Sequence, residues 1–110
     1  MGAVRTTAAA SADLADIADW TSNWFGAAQT ATYRDTISAA IEGLIDGLST
    51  VGLKAKPEIG EGIYALHVAR HGAKGRHFLL CRADETTAPP TMVVLRVLHD
   101  AMDLRRHVES

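Results

Sequence analysis

The sequence has little of what several large classes of protein require. It contains one cysteine, Cys81, so disulfide frameworks and cysteine-based zinc sites are excluded. Cys81 follows Phe78, Leu79 and Leu80, which predicts a buried, small apolar side chain rather than a nucleophile. No 18-residue apolar run occurs, and the alanine-rich start lacks the apolar centre of a signal peptide. We therefore expect a cytoplasmic protein that has no contact with membrane, no metal and no cofactor.

Positive charge is scarce in the first half of the chain. The formal net charge is −2, but residues 1–50 hold two cations against six carboxylates, and residues 51–110 hold nine cations against seven carboxylates. Residues 70–82 contain cations and histidines but no carboxylate; these are Arg70, His71, Lys74, Arg76, His77 and Arg82. We interpret this basic strip either as a solvated hairpin or as a surface for an acidic partner or nucleic acid.

Two helical patterns follow a short strand predicted at residues 4–7. In the first pattern, Ser11 is the expected N-cap and Gly26 the expected end. In the second, residues 27–48 carry apolar side chains at helical spacing along one stripe. We expect the two helices to pair as an antiparallel hairpin. Gly43 and Gly47 favour either a close packing contact or an early end of the second helix.

Three further runs, residues 63–69, 78–82 and 93–98, predict an antiparallel meander. The predicted fold is therefore α+β in a single domain, residues 1–110. It has an N-terminal strand and a two-helix antiparallel hairpin packed on a small, mainly antiparallel sheet. The order is β-α-α-β-β-β, with a short C-terminal helix capped by Asp103. Because the last strand is apolar on both faces, the second face of the sheet needs a cover. Either a partner chain, or the long loop at residues 49–62 together with the terminal turn, would supply it.

Three side chains are candidates for function on physical grounds. Arg96 lies within an apolar strand, where a cation is costly unless paired. It predicts either an internal ion pair, with Asp100 or Asp103, or an anchor for a partner's carboxylate. His99 is expected to be a hydrogen-bonded turn residue rather than a catalyst. Trp20 lies off the main stripe of the first helix and is a candidate for a partner contact.

Five segments of the sequence resemble the ParE toxins of bacterial toxin–antitoxin modules, within the wider RelE/ParE superfamily. They are ADLADIADWTSNWFG, ATYRDTI, GIYALHVARHG, GRHFLLCR and VLRVLHDAMDLRRHV, of which the last is the most specific. The chain departs from this family in two places. Ala65 stands where many members have an arginine, and Cys81 precedes Arg82 where a tyrosine is common.

The resemblance implies a toxin that is neutralised by a ParD-like antitoxin and that inhibits DNA gyrase, touching DNA only through the antitoxin. The alternative is a RelE-type nuclease that cuts mRNA on the ribosome with Arg96 and His99. Since Asp100 follows His99 where a tyrosine would suit such a nuclease, we favour the non-enzymatic branch. The predicted partner-binding residues are Trp20, Arg70, Arg76, His77, Arg82, Arg96 and His99.

Overall fold

A five-stranded mixed sheet is the centre of the computed structural model, which describes residues 2–70 and 72–101. The strands are β1 (Ala3–Thr6), β2 (Lys54–Ala55), β3 (Tyr64–His67), β4 (His77–Asp84) and β5 (Thr91–His99). Their order across the sheet is β1-β5-β4-β3-β2. β1 is parallel to β5, and the other neighbours are antiparallel. The predicted α+β class is confirmed.

The helical layer is one continuous run, and the prediction of a two-helix antiparallel hairpin was wrong. Helix α1 spans Ala8–Gly43, and within it Gly26 departs from helical geometry, with φ 84° and ψ 177°. This region of backbone space is open almost only to glycine. The helix resumes at once, and the Thr30 hydroxyl donates to the Gly26 carbonyl at 2.9 Å. Gly26 therefore bends the run without opening the loop that two separate helices would need.

Both ends of the helical layer also differ from the predicted bounds. Thr7, rather than Ser11, is the N-cap, and its side chain accepts from the Ala10 amide at 3.1 Å. After Gly43 the chain continues as a 3-10 helix, Leu44–Ser49, so the early end expected from the two glycines occurs. The close packing contact occurs as well, because Arg70 lies against Gly43. The short strand β2 lies in the segment expected to be irregular. The predicted C-terminal helix falls on residues 102–110, outside the described residues.

Each face of the sheet has its own apolar cluster. The larger lies between α1 and the sheet, and its fully buried members include Leu44, Leu66, Leu79, Met92 and Val94. The smaller lies on the opposite face and contains Ile59, Ala65, Leu80 and Leu98, with Ile63 and Phe78 against it. Since Ile59 and Ile63 belong to the loop before β3, the chain itself covers part of the second face. Of the two covers predicted for this face, the loop is therefore present.

Candidate partner-binding surfaces

Strand pairing brings three histidines to one end of the sheet. His77 begins β4 and lies opposite His99, the last residue of β5, while His67 ends β3 beside Phe78. The rings of His77 and His99 meet edge to face with centroids 5.3 Å apart. We call the residues gathered here the sheet-end cluster, which consists of Tyr33, His67, Arg76, His77, His99 and Asp100.

Asp100 connects two other members of the sheet-end cluster through hydrogen bonds to His67 and Arg76. Its Oδ2 lies 3.1 Å from His67 Nε2, and its Oδ1 accepts from Arg76 Nε at 3.2 Å. Its backbone amide donates to the Arg76 carbonyl at 2.8 Å. The hydrogen bond from His67, supported by that from Arg76, lowers the pKa of Asp100 below its usual value. Asp100 therefore stays ionised and offsets the positive charge at this end of the sheet.

Tyr33 ties α1 to the same place. Its hydroxyl lies 2.6 Å from His77 Nδ1 and accepts from the Arg76 backbone amide at 3.0 Å. Burial is the largest cause that lowers the pKa of His77 to about 4, and the nearby His99 is the second. Burial also raises the pKa of Tyr33. Both side chains are therefore neutral at pH 7, and the Tyr33 hydroxyl links His77 to the backbone of Arg76.

All three imidazoles use Nδ1 in a hydrogen bond within the protein. His67 Nδ1 accepts from the Ala69 amide at 3.0 Å, and His99 Nδ1 accepts from the Ala101 amide at 3.1 Å. His77 Nδ1 is hydrogen-bonded to the Tyr33 hydroxyl. A general base needs a free lone pair, so the hydrogen bonds of His67 and His99 suit them to holding the end of the sheet rather than to accepting a proton from substrate.

Arg96 is paired inside the protein, with a partner that the sequence did not indicate. Asp13 of α1 accepts from Arg96 Nε at 2.7 Å and from its terminal nitrogen at 2.9 Å. Its Oδ2 also accepts from the Val97 amide at 2.9 Å. The expected partner Asp100 is engaged by His67 and Arg76, and Asp103 lies outside the described residues. Hydrogen bonding to Asp13 raises the pKa of Arg96 further.

Asp13 also explains how α1 meets the sheet. β1 pairs with β5 only as far as Val94, and within residues 2–70 and 72–101 no other strand pairs with the next residues of β5 on that side. Here the Thr7 hydroxyl donates to the Leu95 carbonyl at 2.8 Å, and Asp13 accepts from the Val97 amide. The start of α1 thus takes over from β1 in satisfying the backbone of β5. No local sequence signal identifies Asp13, which reads as an ordinary acidic residue near a helix start.

The basic strip does not form one compact patch. The Arg70 guanidinium donates to the Val51 carbonyl at 3.1 Å and lies against Gly43. Arg76 is at the sheet end, with its side chain 71% exposed. Arg82 is exposed near the other end of β4 and lies opposite the buried Val93, so about six residues, or 20 Å of strand, separate it from Arg76. His71 falls outside the described residues.

On the face of the sheet away from α1, Val93 lies between two arginines on the neighbouring strands. It pairs with Arg82 of β4 and with Arg5 of β1, and residues in register on neighbouring strands share a face. Arg5 makes a long ion pair with Asp84 at 3.8 Å. The strip prediction included Arg82 but missed Arg5, because the two are far apart in sequence.

Trp20 lies on the outer surface of α1 with two other aromatic side chains. Trp20, Trp24 and Phe25 are 57%, 71% and 59% exposed. The Trp20 ring lies 6.3 Å from that of Trp24 and 5.6 Å from that of Phe25, measured between centroids. We call these three residues the aromatic cluster. It precedes the bend at Gly26 and is separate in sequence from the residues of the sheet-end cluster.

A cavity of about 310 Å³ lies between the parts of α1 on either side of Gly26. Apolar side chains such as Leu14, Ile17, Ile37 and Ile41 form much of its lining, and Arg34 and Ser38 also line it. Its apolar character makes it suited to an apolar anchor rather than to a charged substrate.

The structure bears on three other expectations. Cys81 is fully buried, as predicted, and burial raises the pKa of its thiol to about 12. Among residues 2–70 and 72–101, no group of three or more His, Cys, Asp or Glu side chains is placed to hold a metal ion. Within the same residues, no helix is both long and apolar enough to cross a membrane.

The comparison with protein families agrees with the resemblance seen in the sequence. Residues 4–104 match the family described as ParE toxin of type II toxin-antitoxin system, parDE. No curated protein matches the chain. The family match includes α1, strands β2 to β5, all of β1 except Ala3, and every member of the sheet-end cluster. The chain therefore belongs to the ParE family and is the toxin of a type II toxin–antitoxin system.

Proposed function

We propose that this toxin acts by binding rather than by catalysis: that it inhibits DNA gyrase when free and is neutralised by a ParD-like antitoxin. Gyrase inhibition is what the ParE resemblance implies, whereas relatives of the RelE type cut mRNA. In this proposal the toxin is cytoplasmic, and its only link to DNA is through the antitoxin. Both activities use one scaffold, so the side chains must decide between them.

The hydrogen bonds that the side chains of the sheet-end cluster already make support inhibition of gyrase rather than cleavage of mRNA. RNA cleavage needs a base for the 2′-hydroxyl, a cation for the phosphorane and an acid for the leaving oxygen. His99 Nδ1 accepts from the Ala101 amide and His77 Nδ1 is hydrogen-bonded to the Tyr33 hydroxyl. Arg96 is held by Asp13 through two hydrogen bonds. Asp100 places a carboxylate beside Arg76 and His99, and a negative charge there would repel a phosphate. This arrangement favours a structural role for these side chains.

A supercoiling assay with purified free toxin tests the gyrase target. We expect inhibition that rises with toxin concentration and disappears when the antitoxin is added in equimolar amount. Complete supercoiling at a large molar excess of folded toxin would refute gyrase as the target.

A second assay addresses the nuclease alternative. Primer extension on translated mRNA is expected to show no new cut sites after induction of the toxin. New cuts that His99→Ala abolishes would overturn the non-enzymatic proposal.

For the antitoxin, we propose that Arg76 and Arg82 bind acidic side chains. In this proposal His77 and His99 add contacts at the sheet end, and Arg70 adds a separate contact beside Gly43. Arg76 and Arg82 are both exposed, so they are accessible to a partner that extends along β4. Such contacts weaken as salt screens them. A small protein encoded beside this gene and ending in a charged, amphipathic tail would be the partner to test.

The double variant Arg76→Ala/Arg82→Ala tests this surface. We expect weaker antitoxin binding and a shallower dependence of affinity on salt. Lys54→Ala is the matched control, because Lys54 is an exposed cation on β2, at the opposite edge of the sheet from β1. Unchanged affinity in the double variant would remove these arginines from the interface.

A further inference from the structure

The aromatic cluster is an exposed surface that the proposed function does not use. Trp20, Trp24 and Phe25 all have more than half of their surface in contact with water. Large aromatic side chains gain free energy by leaving water. Their contacts with one another, at 5.6 Å and 6.3 Å between centroids, bring the three rings together in one place on α1.

Unpaired negative charge adjoins these rings. Asp16, Trp20 and Trp24 follow one another at four-residue spacing, so their side chains share one ridge of α1. Asp19 lies directly before Trp20. Within the described part of the chain, neither Asp16 nor Asp19 has an ion-pair partner. No lysine or arginine occurs between Arg5 and Arg34, and among the described residues no ion pair joins Arg34 to Asp16 or Asp19.

We propose that the aromatic cluster, with Asp16 and Asp19, binds a cationic side chain, arginine or lysine, from an apolar segment of a protein partner. Indole faces attract cations within about 6 Å of the ring centroid, a distance similar to the spacing of these rings. The two carboxylates would pair with the same positive charge, and the apolar neighbours of the cation would cover the rings.

The charge of the ridge argues against two other occupants. A second copy of this chain, related by a twofold axis, would bring the carboxylates of the two copies together. An anionic membrane surface would be repelled by the same groups. The proposal does not depend on gyrase, because it concerns residues outside the sheet-end cluster and its test uses no gyrase.

Intrinsic fluorescence gives a direct test, because the chain has only two tryptophans and both belong to the aromatic cluster. The probe is a capped 12-residue peptide of alanine and leucine with three arginines on one helical face; the comparison peptide has glutamine at those positions. We expect a saturable change in tryptophan emission with the arginine peptide and at least tenfold weaker binding of the glutamine peptide.

Charge variants identify the site. We expect Asp16→Asn/Asp19→Asn to bind the arginine peptide at least tenfold more weakly, with an unchanged far-UV circular dichroism spectrum. The matched control is Asp35→Asn/Asp46→Asn, which removes two exposed carboxylates beyond Gly26 and is expected to leave affinity unchanged.

Several results would overturn the proposal. Equal binding of the two peptides would show that the cation is not recognised. A double variant at Asp16 and Asp19 with full affinity would exclude the carboxylates. A blue shift with phosphatidylcholine–phosphatidylglycerol vesicles but not with the peptide would point to lipid instead. Sedimentation of the free chain as a dimer that Trp24→Ala dissociates would assign the cluster to a second copy.

Discussion

Removing the Asp13 carboxylate is predicted to destabilise the protein more than removing any other single carboxylate of α1. Asp13 accepts three hydrogen bonds, two from Arg96 and one from the Val97 amide, at 2.7 to 2.9 Å. Its side chain is only 13% exposed, whereas that of Arg96 is 32% exposed. In Asp13→Ala, a cation and a backbone donor at the edge of β5 both lose their partner.

The two losses can be estimated separately. A buried amide without an acceptor costs about 1–3 kcal/mol. The ion pair is screened by water because Arg96 is about one-third exposed, which limits its share to about 1 kcal/mol. Together they predict a loss of about 2–4 kcal/mol in the free energy of unfolding. Asp13→Asn keeps one carbonyl oxygen as an acceptor, so its loss is expected to be smaller by about 1 kcal/mol.

Urea unfolding at pH 7, followed by far-UV circular dichroism, measures these differences. Asp16→Ala is the matched control on the same helix and is expected to change stability by less than about 0.5 kcal/mol. A double-mutant cycle with Arg96→Met should give a coupling of about 1 kcal/mol. The reasoning is refuted if Asp13→Ala costs less than about 0.5 kcal/mol, or if Asp13 and Arg96 prove additive.

Three further predictions concern single positions. The pKa of His77 is about 4 in the folded protein and about 6.5 in the unfolded chain. Below pH 6.5 the unfolded chain therefore binds a proton that the folded protein does not, so the free energy of unfolding should fall from pH 7 towards pH 4. His77→Asn, which keeps an acceptor for Tyr33, should reduce the difference between urea midpoints at pH 7.5 and 5.0, and an undiminished difference would contradict this. Gly26→Ala should cost about 1–3 kcal/mol in urea unfolding, because φ is +84° and the strain arises in the backbone. Among the described residues no atom lies within 4 Å of the added Cβ, so a neutral effect would contradict the bend. Cys81, buried and with its pKa raised to about 12, should react with Ellman's reagent at pH 8 only after denaturation, and rapid labelling of the native protein would disprove its burial.

The strands show how far local sequence patterns reach. β-branched and apolar runs placed β3, β4 and β5 within a few residues of their observed bounds, because a strand side chain that faces a core must be apolar at alternate positions. The two-residue β2 was missed. It is made only by pairing with Ala65 and Tyr64 of β3, and its own residues, Lys54 and Ala55, have little strand preference.

Gly26 shows where a local rule gives the wrong element. A glycine after an amphipathic stretch is typical of a helix end, and the same freedom of φ also allows a one-residue bend within a helix. Which of the two occurs depends on how the flanking residues pack. Here residues on both sides of Gly26, Ile17 and Ile37 among them, join the same core with the sheet.

The sequence by itself determined the α+β class, the burial of Cys81, the positions of the main strands and the family. These properties depend on residue type and on spacing over a few positions. Only the tertiary structure decided the partner of Arg96, 83 residues away in Asp13, the grouping of three histidines around Asp100, and the dispersal of the basic strip along β4. Such contacts join residues distant in sequence, and strand register, which no local pattern records, brings them together.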